Sequence, residues 1–231
     1  MNEEERNART ISLIGHEAAD RLKAARITVF GLGGVGSACA EALARCGIGT
    51  ISVVDHDVVC PSNLNRQIIA TAETIGLKKT EVCCKRLKSV SPGITVIPYD
   101  LFYLPATADK IDLSDESFVV DCIDNITAKL ELISHCYNQH IPVISCMGTG
   151  NRLDPFQFCI CDIFDTCNDA LARIMRKELR KKGIPSLTVL YSKENPVRTH
   201  ERSPSSISFV PPVAGMMIAS EVVKRLINDK V

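Results

Sequence analysis

The chain has 231 residues, with 27 Lys plus Arg against 27 Asp plus Glu, 45% hydrophobic residues and no tryptophan. That length and apolar fraction suit one large domain, taken as residues 1–231, with a sizeable core. The zero formal charge excludes a protein steered by its overall charge to nucleic acid or membrane, so any nucleic-acid affinity must come from a local patch. Eleven cysteines include no C-x-x-C pair, which argues against a zinc ribbon or finger. Residues 1–9 lack the apolar core of a secretory signal, so reduced thiols in a cytoplasmic protein are expected. The longest apolar stretch, 209–219, is broken by Pro211, Pro212 and Gly215 and is too short to span a bilayer.

In chain order, residues 26–30 (RITVF) and 50–55 (TISVVD) read as buried strands, because β-branched residues dominate and Gly or Asp ends each run. The alanine-rich stretch 35–46 between them reads as a helix closed by Gly47. A helix is predicted over 78–90, with Val82, Leu87 and Val90 inward and Lys85, Arg86 and Lys88 outward, stopped by Pro92 and Gly93. Strands at 94–99 and 118–122, a helix at 128–138 and a strand at 142–146 continue the alternation. This order predicts an α/β fold with a doubly wound, mostly parallel, Rossmann-like sheet over residues 1–150. Residues 151–231 are a less regular α+β portion: a strand at 156–163, a helix at 169–182, a strand at 187–192 and a closing helix at 213–227. The segment 193–206 is rich in charge, Pro and Ser and reads as a mobile surface loop.

Gly31-Leu32-Gly33-Gly34-Val35-Gly36 follows a predicted strand and opens a helix. Glycines there allow a tight turn and close approach of backbone to phosphate, and the helix N-terminus carries partial positive charge. Asp55, at the end of the next strand, is placed to accept hydrogen bonds from a ribose. These features alone fit any nucleotide, an NAD-dependent dehydrogenase included. Residues further along the chain narrow the choice. Asp55-His56-Asp57 leads into Asn63-Leu64-Asn65-Arg66-Gln67, then Lys78-Lys79, then Asp121-Cys122-Ile123-Asp124-Asn125 at a strand end. A triphosphate under attack needs cations on its oxygens and a carboxylate for a metal, and Arg66, Lys79 and Asp124 supply that set.

These five motifs, in this order and spacing, resemble those of the adenylating enzymes related to ubiquitin-activating enzymes, whose bacterial members serve thiamine and molybdopterin synthesis. The resemblance implies a site where ATP transfers AMP to a carboxylate. It implies that Gly31, Gly33, Gly34 and Gly36 approach the nucleotide, and that Asp55 holds the ribose, with Asp57, Gln67 and Asn125 also at the site. Asn63, Arg66 and Lys79 would contact phosphates, Asp124 would position Mg2+, and Arg9 would reach across a homodimer as an arginine finger. A carboxylate is already ionised at neutral pH and needs no general base, so the absence of a Ser/His/Asp arrangement is consistent.

The second half, with Asp154-Pro155-Phe156-Gln157, Asp162-Ile163-Phe164-Asp165-Thr166 and Asn168-Asp169-Ala170-Leu171, is similar to the tRNA threonylcarbamoyladenosine dehydratases. Arg45-x-Gly47-Ile48-Gly49, Asp57-x-Val59-Cys60 and Lys129 resemble them too. The stretch from Cys146 to Arg152 departs from the group's more glycine-laden form. That resemblance implies tRNA as the partner, with no DNA, and leaves open a sulfur-donating or electron-supplying protein partner. A tRNA substrate asks for a basic surface. On a helix, Arg173, Arg176, Lys177, Arg180 and Lys181 fall on one face, and Leu171, Ile174, Met175 and Leu179 on the other. Arg198, His200 and Arg202 in the loop would extend that patch. The alternative is activation of a ubiquitin-like sulfur carrier at its C-terminus, with Cys146, Cys161 or Cys167 as acyl acceptor; zinc cysteine pairs found in several such activators are missing here. A catalytically silent nucleotide-binding or tRNA-binding protein is a third reading, against which the joint presence of Arg66, Lys79 and Asp124 argues.

Overall fold

The computed structural model describes residues 3–200 and 204–228. Two helices, α1 (Glu3–Ile14) and α2 (His16–Ala24), precede the first strand. Sequence reading missed both, because their few apolar residues are scattered among charges and α1 buries little. Gly15, at φ +84°, turns the chain between them, and Arg6 ties α1 to the body through the Ala44 carbonyl at 3.3 Å.

The strands are β1 (Arg26–Phe30), β2 (Thr50–Asp55), β3 (Thr95–Asp100), β4 (Phe118–Asp121), β5 (Val143–Cys146), β6 (Phe158–Asp162) and β7 (Thr188–Ser192). They form one sheet in the order β3-β2-β1-β4-β5-β7-β6. Every pair is parallel except β6 with β7. The expected doubly wound, mostly parallel sheet is therefore present. Alternation along the strands divides the core. Ile27 and Val29 of β1 pack on α2, α3 (Gly34–Arg45), α4 (Lys79–Val90) and α7 (Val210–Ile227). Phe30 of the same strand joins a second cluster with Leu132 and Cys136 of α5 (Ile126–Asn138). A third cluster packs α6 (Ala170–Lys181) against β7.

Two local readings need correction. α7 starts at Val210, not after the prolines, because Pro211 and Pro212 lie in its first turn, where a missing N–H costs no helical hydrogen bond. In α4 the buried residues include Cys83 and Leu87, whereas Val82 and Val90 are half-buried. Arg86, expected outward, is half-buried and bonds Glu41 of α3, which also accepts from Arg45 Nη2 at 2.7 Å.

This clamp joins α3 to α4 around a carboxylate only 4% exposed. Burial alone would raise the Glu41 pKa, but the hydrogen bonds and charges of Arg86 and Arg45 outweigh it and hold the carboxyl below its ordinary range. A carboxylate with a lowered folded-state pKa contributes its full stabilisation above the unfolded value, about 4.3, and loses it as pH falls through the folded value. Glu41→Gln should therefore unfold at lower urea concentration than the parent at neutral pH, and the gap should narrow as pH falls below about 4. A gap independent of pH would show that the clamp is not electrostatic.

Candidate active site

The order of strands reverses between β1 and β4, and it is outside the carboxyl ends of strands at such a point that open α/β sheets bind ligands. A cavity of about 780 Å³ lies there. Its walls include Gly31, Gly33, Gly34, Asp55, Asp57, Asn63, Arg66, Gln67, Lys79 and Asp124, so most of the residues singled out from sequence meet in one place.

The glycine turn is shaped by contact. Gly31 has φ +84°, and a Cβ there would lie 2.6 Å from the Cys122 carbonyl oxygen. A Cβ on Gly36 would lie 1.8 Å from the Gly31 carbonyl oxygen. Gly36 does not line the cavity; it lets α3 start tight against the turn. At the helix start Gly33 makes no side-chain cap, which leaves the first N–H groups facing the cavity. Asp55 fixes this turn in space: Oδ2 accepts from Leu32 N at 2.6 Å and Oδ1 from Asp57 N at 2.8 Å.

Lys79, nearly buried, donates from Nζ to Asp57 Oδ2 at 2.7 Å. Desolvation acts to raise the Asp57 carboxyl, but Lys79, aided by His56, holds it below the usual carboxylate range. His56 also stacks on Phe102, ring centroids 4.1 Å apart, at the cavity wall; sequence reading assigned that pair nothing. Arg66 is held through Nη1 by the Ser62 carbonyl at 2.8 Å and Asn65 Oδ1 at 2.9 Å. Asn63 accepts from Cys60 N at 3.1 Å, and Gln67 keeps a buried Oε1 with no hydrogen-bond partner among the described residues. Asp124 is exposed at the cavity, and its carboxylate has no partner among the described residues. Asn125, by contrast, caps α5 by accepting from Ala128 N at 3.0 Å. Arg9 is exposed on α1 and does not line the cavity of its own chain.

Beneath the cavity is a wholly buried ion pair, Lys129 Nζ to Asp121 Oδ2 at 2.9 Å, off the line of a straight hydrogen bond. Asp121 also accepts from Ile123 N at 3.0 Å and Ser145 Oγ at 2.6 Å. This joins the tips of β4 and β5 to α5 and orients the backbone leading to Asp124. On the α6 side of the cavity, Asp169 caps α6 through Ala172 N at 2.8 Å and accepts from Gly148 N at 3.2 Å, with buried Arg152 3.7 Å away.

Asp55, His56 and Asp57 bring three ligand atoms within 4.8 Å of one another. Asp55 is occupied by backbone N–H groups and Asp57 by Lys79, so the unpartnered Asp124 is the better hard-oxygen donor for Mg2+, an ion that keeps waters and takes phosphate oxygens.

The basic helix differs from the expected stripe. Arg176 turns back to the Thr166 carbonyl at 3.0 Å, Arg180 lies 4.9 Å over the Phe164 ring, and Lys181 pairs with Glu178 at 2.8 Å. Arg173 and Lys177 stay exposed. Ile174, expected to be buried, is 39% exposed and lines the cavity with Ala170 and Leu171. Arg198 and His200 are exposed; Arg202 lies outside the described residues. Burial pushes the Cys146 thiol up to about 12 and that of Cys161 to about 11, which disfavours thiolate chemistry at either. Cys167 is exposed, its Sγ 3.7 Å from the Tyr191 hydroxyl.

A profile of the ThiF family matches residues 5–231. The chain belongs to the ThiF family. It is 37% identical to a tRNA threonylcarbamoyladenosine dehydratase of Bacillus subtilis, over 94% of this chain and 92% of that one. The crystal structure of the Escherichia coli tRNA N6-threonylcarbamoyladenosine dehydratase in complex with ATP superimposes with a TM-score of 0.91, at 33% identity, covering 96% of this chain and 94% of that one. A molybdopterin-synthase adenylyltransferase of Salmonella typhimurium is 36% identical, but over only 60% of this chain and 54% of its own length. The likeness to this adenylyltransferase thus covers less of the chain than the likeness to the Bacillus subtilis dehydratase.

The buried pair under this ThiF-family site has a measurable signature. Lys129→Met leaves a buried carboxylate without its cation and should cost about 3–5 kcal/mol in urea unfolding. Adding Asp121→Asn should restore part of that loss. Equal stability of Lys129→Met and the parent would show that the pair does not hold the strand tips.

Proposed function

We propose that this protein is an ATP-dependent dehydratase that adenylates the carboxylate of N6-threonylcarbamoyladenosine in tRNA and promotes its cyclisation. The reading is carried by the near full-length likeness to bacterial dehydratases, joined to a cavity whose donors suit a nucleoside triphosphate. In the first step a carboxylate oxygen bonds the α-phosphorus and pyrophosphate leaves. In the second, the neighbouring carbamoyl group attacks the activated carbonyl carbon, AMP leaves with that oxygen, and the carbamoyl proton is lost. The sum is ring closure with net loss of water, and the intramolecular second step gains its rate from proximity.

The first N–H groups of α3 face the phosphates, and Asp55 keeps lone pairs for ribose hydroxyls beside its backbone bonds. Arg66 and Lys79 stabilise charge on the phosphates and on departing pyrophosphate. Two cations, Arg66 and Lys79, stand against three carboxylates, Asp55, Asp57 and Asp124, so the cavity asks for further positive charge before it takes a polyphosphate. Mg2+ held by Asp124 would supply part of it, by neutralising phosphate oxygens. Arg9 from the second copy of a homodimer would supply the rest, in keeping with its exposure away from its own cavity. Residues 1–231 form one unit, acting in the cytoplasm on a tRNA. The α6 residues Ala170, Leu171 and Ile174 wall the cavity, which sets exposed Arg173 and Lys177 near its mouth, where tRNA phosphates would lie; Arg176, Arg180 and Lys181 contribute after exchanging their local partners.

The test is incubation with ATP, Mg2+ and tRNA carrying threonylcarbamoyladenosine, with mass spectrometry of the nucleosides as the readout. The expected result is loss of one water from the modified nucleoside with matching AMP. Arg66→Ala and Asp124→Ala should each cut AMP formation by about 100- to 1,000-fold without moving the unfolding midpoint. An unchanged nucleoside with the parent protein, or full activity in either variant, would overturn the assignment.

A further inference from the structure

Pro204 and Ser206 line the cavity. Two residues hold this strap. Asn151 donates its N–H to the Ser205 carbonyl at 2.7 Å and accepts from Ser205 N through Oδ1 at 2.7 Å. It does so at φ 57°, a conformation that asparagine tolerates better than most residues. The second is Asn65, in the phosphate-side motif. Its Nδ2 donates to the Ser206 carbonyl at 3.1 Å, while its Oδ1 accepts from Arg66 Nη1 at 2.9 Å. Arg66 Nε and Nη2 have no partner among the described residues, so the bonds to Asn65 and Ser62 leave that edge of the guanidinium open to a ligand.

A primary amide offers a donor and an acceptor on one rigid plane, and the two contacts of Asn65 use both. The side chain is exposed, so core packing does not account for it. We propose that Asn65 is a positioning residue that couples the phosphate-side guanidinium of Arg66 to the Pro204–Ser206 strap, so that a nucleotide which fixes Arg66 also steadies the acceptor-side rim of the cavity. The identity of the acceptor rests on the dehydratase reading; the coupling itself does not.

Asn65→Asp separates the two links, because it keeps an oxygen for Arg66 and replaces the donor to Ser206 with an acceptor. Limited trypsin digestion after Arg198 reads the strap without any acceptor present. Loss of one hydrogen bond predicts cleavage faster by about 3- to 10-fold in Asn65→Asp, and loss of the protection that ATP with Mg2+ gives the parent. With tRNA carrying threonylcarbamoyladenosine, KM for the tRNA should rise by a similar factor while kcat changes little. Asn65→Ala, which also releases Arg66, should lower kcat as well. Cleavage at the parent rate would overturn the coupling, and faster cleavage with unchanged KM would overturn the positioning role. Should the parent fail to act on that tRNA, the dehydratase reading falls while the digestion still decides the coupling.

Discussion

The site depends on the carboxylate of Asp55. One oxygen holds the N–H of Leu32 and the other that of Asp57. The first bond sets the glycine turn, and with it the start of α3, against the tip of β2. The second aligns Asp57, whose own carboxylate takes Lys79 from the first position of α4. A single side chain therefore fixes two helix starts relative to one strand, and the groups that line the cavity there inherit their positions from it. The Asp121–Lys129 pair plays the matching part on the other side of the switch point, where it steadies the backbone that presents Asp124.

Charge explains how a protein of zero formal net charge handles polyanions. The cavity is not strongly basic, because its lysine is neutralised by a neighbouring carboxylate. Under the proposed function, affinity for a triphosphate would draw on the directed N–H groups, on the open edge of Arg66, on Lys79 once a ligand competes with Asp57 for it, and on cations brought in with the ligand. On α6 the same economy holds, with three of five expected basic residues engaged by Thr166, Phe164 and Glu178.

Much of the fold was legible because its strands are short β-branched runs between Gly, Asp and Pro, and because the glycine turn has a required strand before it and a helix after it. The ordered motifs located the charged cavity residues Asp55, Asp57, Arg66, Lys79 and Asp124 for the same reason. Contacts between distant parts of the chain were not legible. Asn65 meets Ser206 across 141 positions, and Asp169 reaches Gly148 across 21, with nothing in either neighbourhood to announce the pairing. A helical wheel placed Arg176 and Arg180 on an open face, but it cannot see a threonine carbonyl or a phenyl ring folded against that face. Gly36 and Asn125 matched nucleotide motifs, yet in the structure one packs against the turn and the other caps a helix.

The central claim is that a carboxylate oxygen attacks the α-phosphorus. The direct measurement is a single turnover with tRNA whose threonylcarbamoyl carboxylate is labelled with oxygen-18, with mass spectrometry of the released nucleotide. Adenylation and then ring closure predict one labelled oxygen in AMP. Unlabelled AMP, or label in orthophosphate accompanied by ADP, would contradict it.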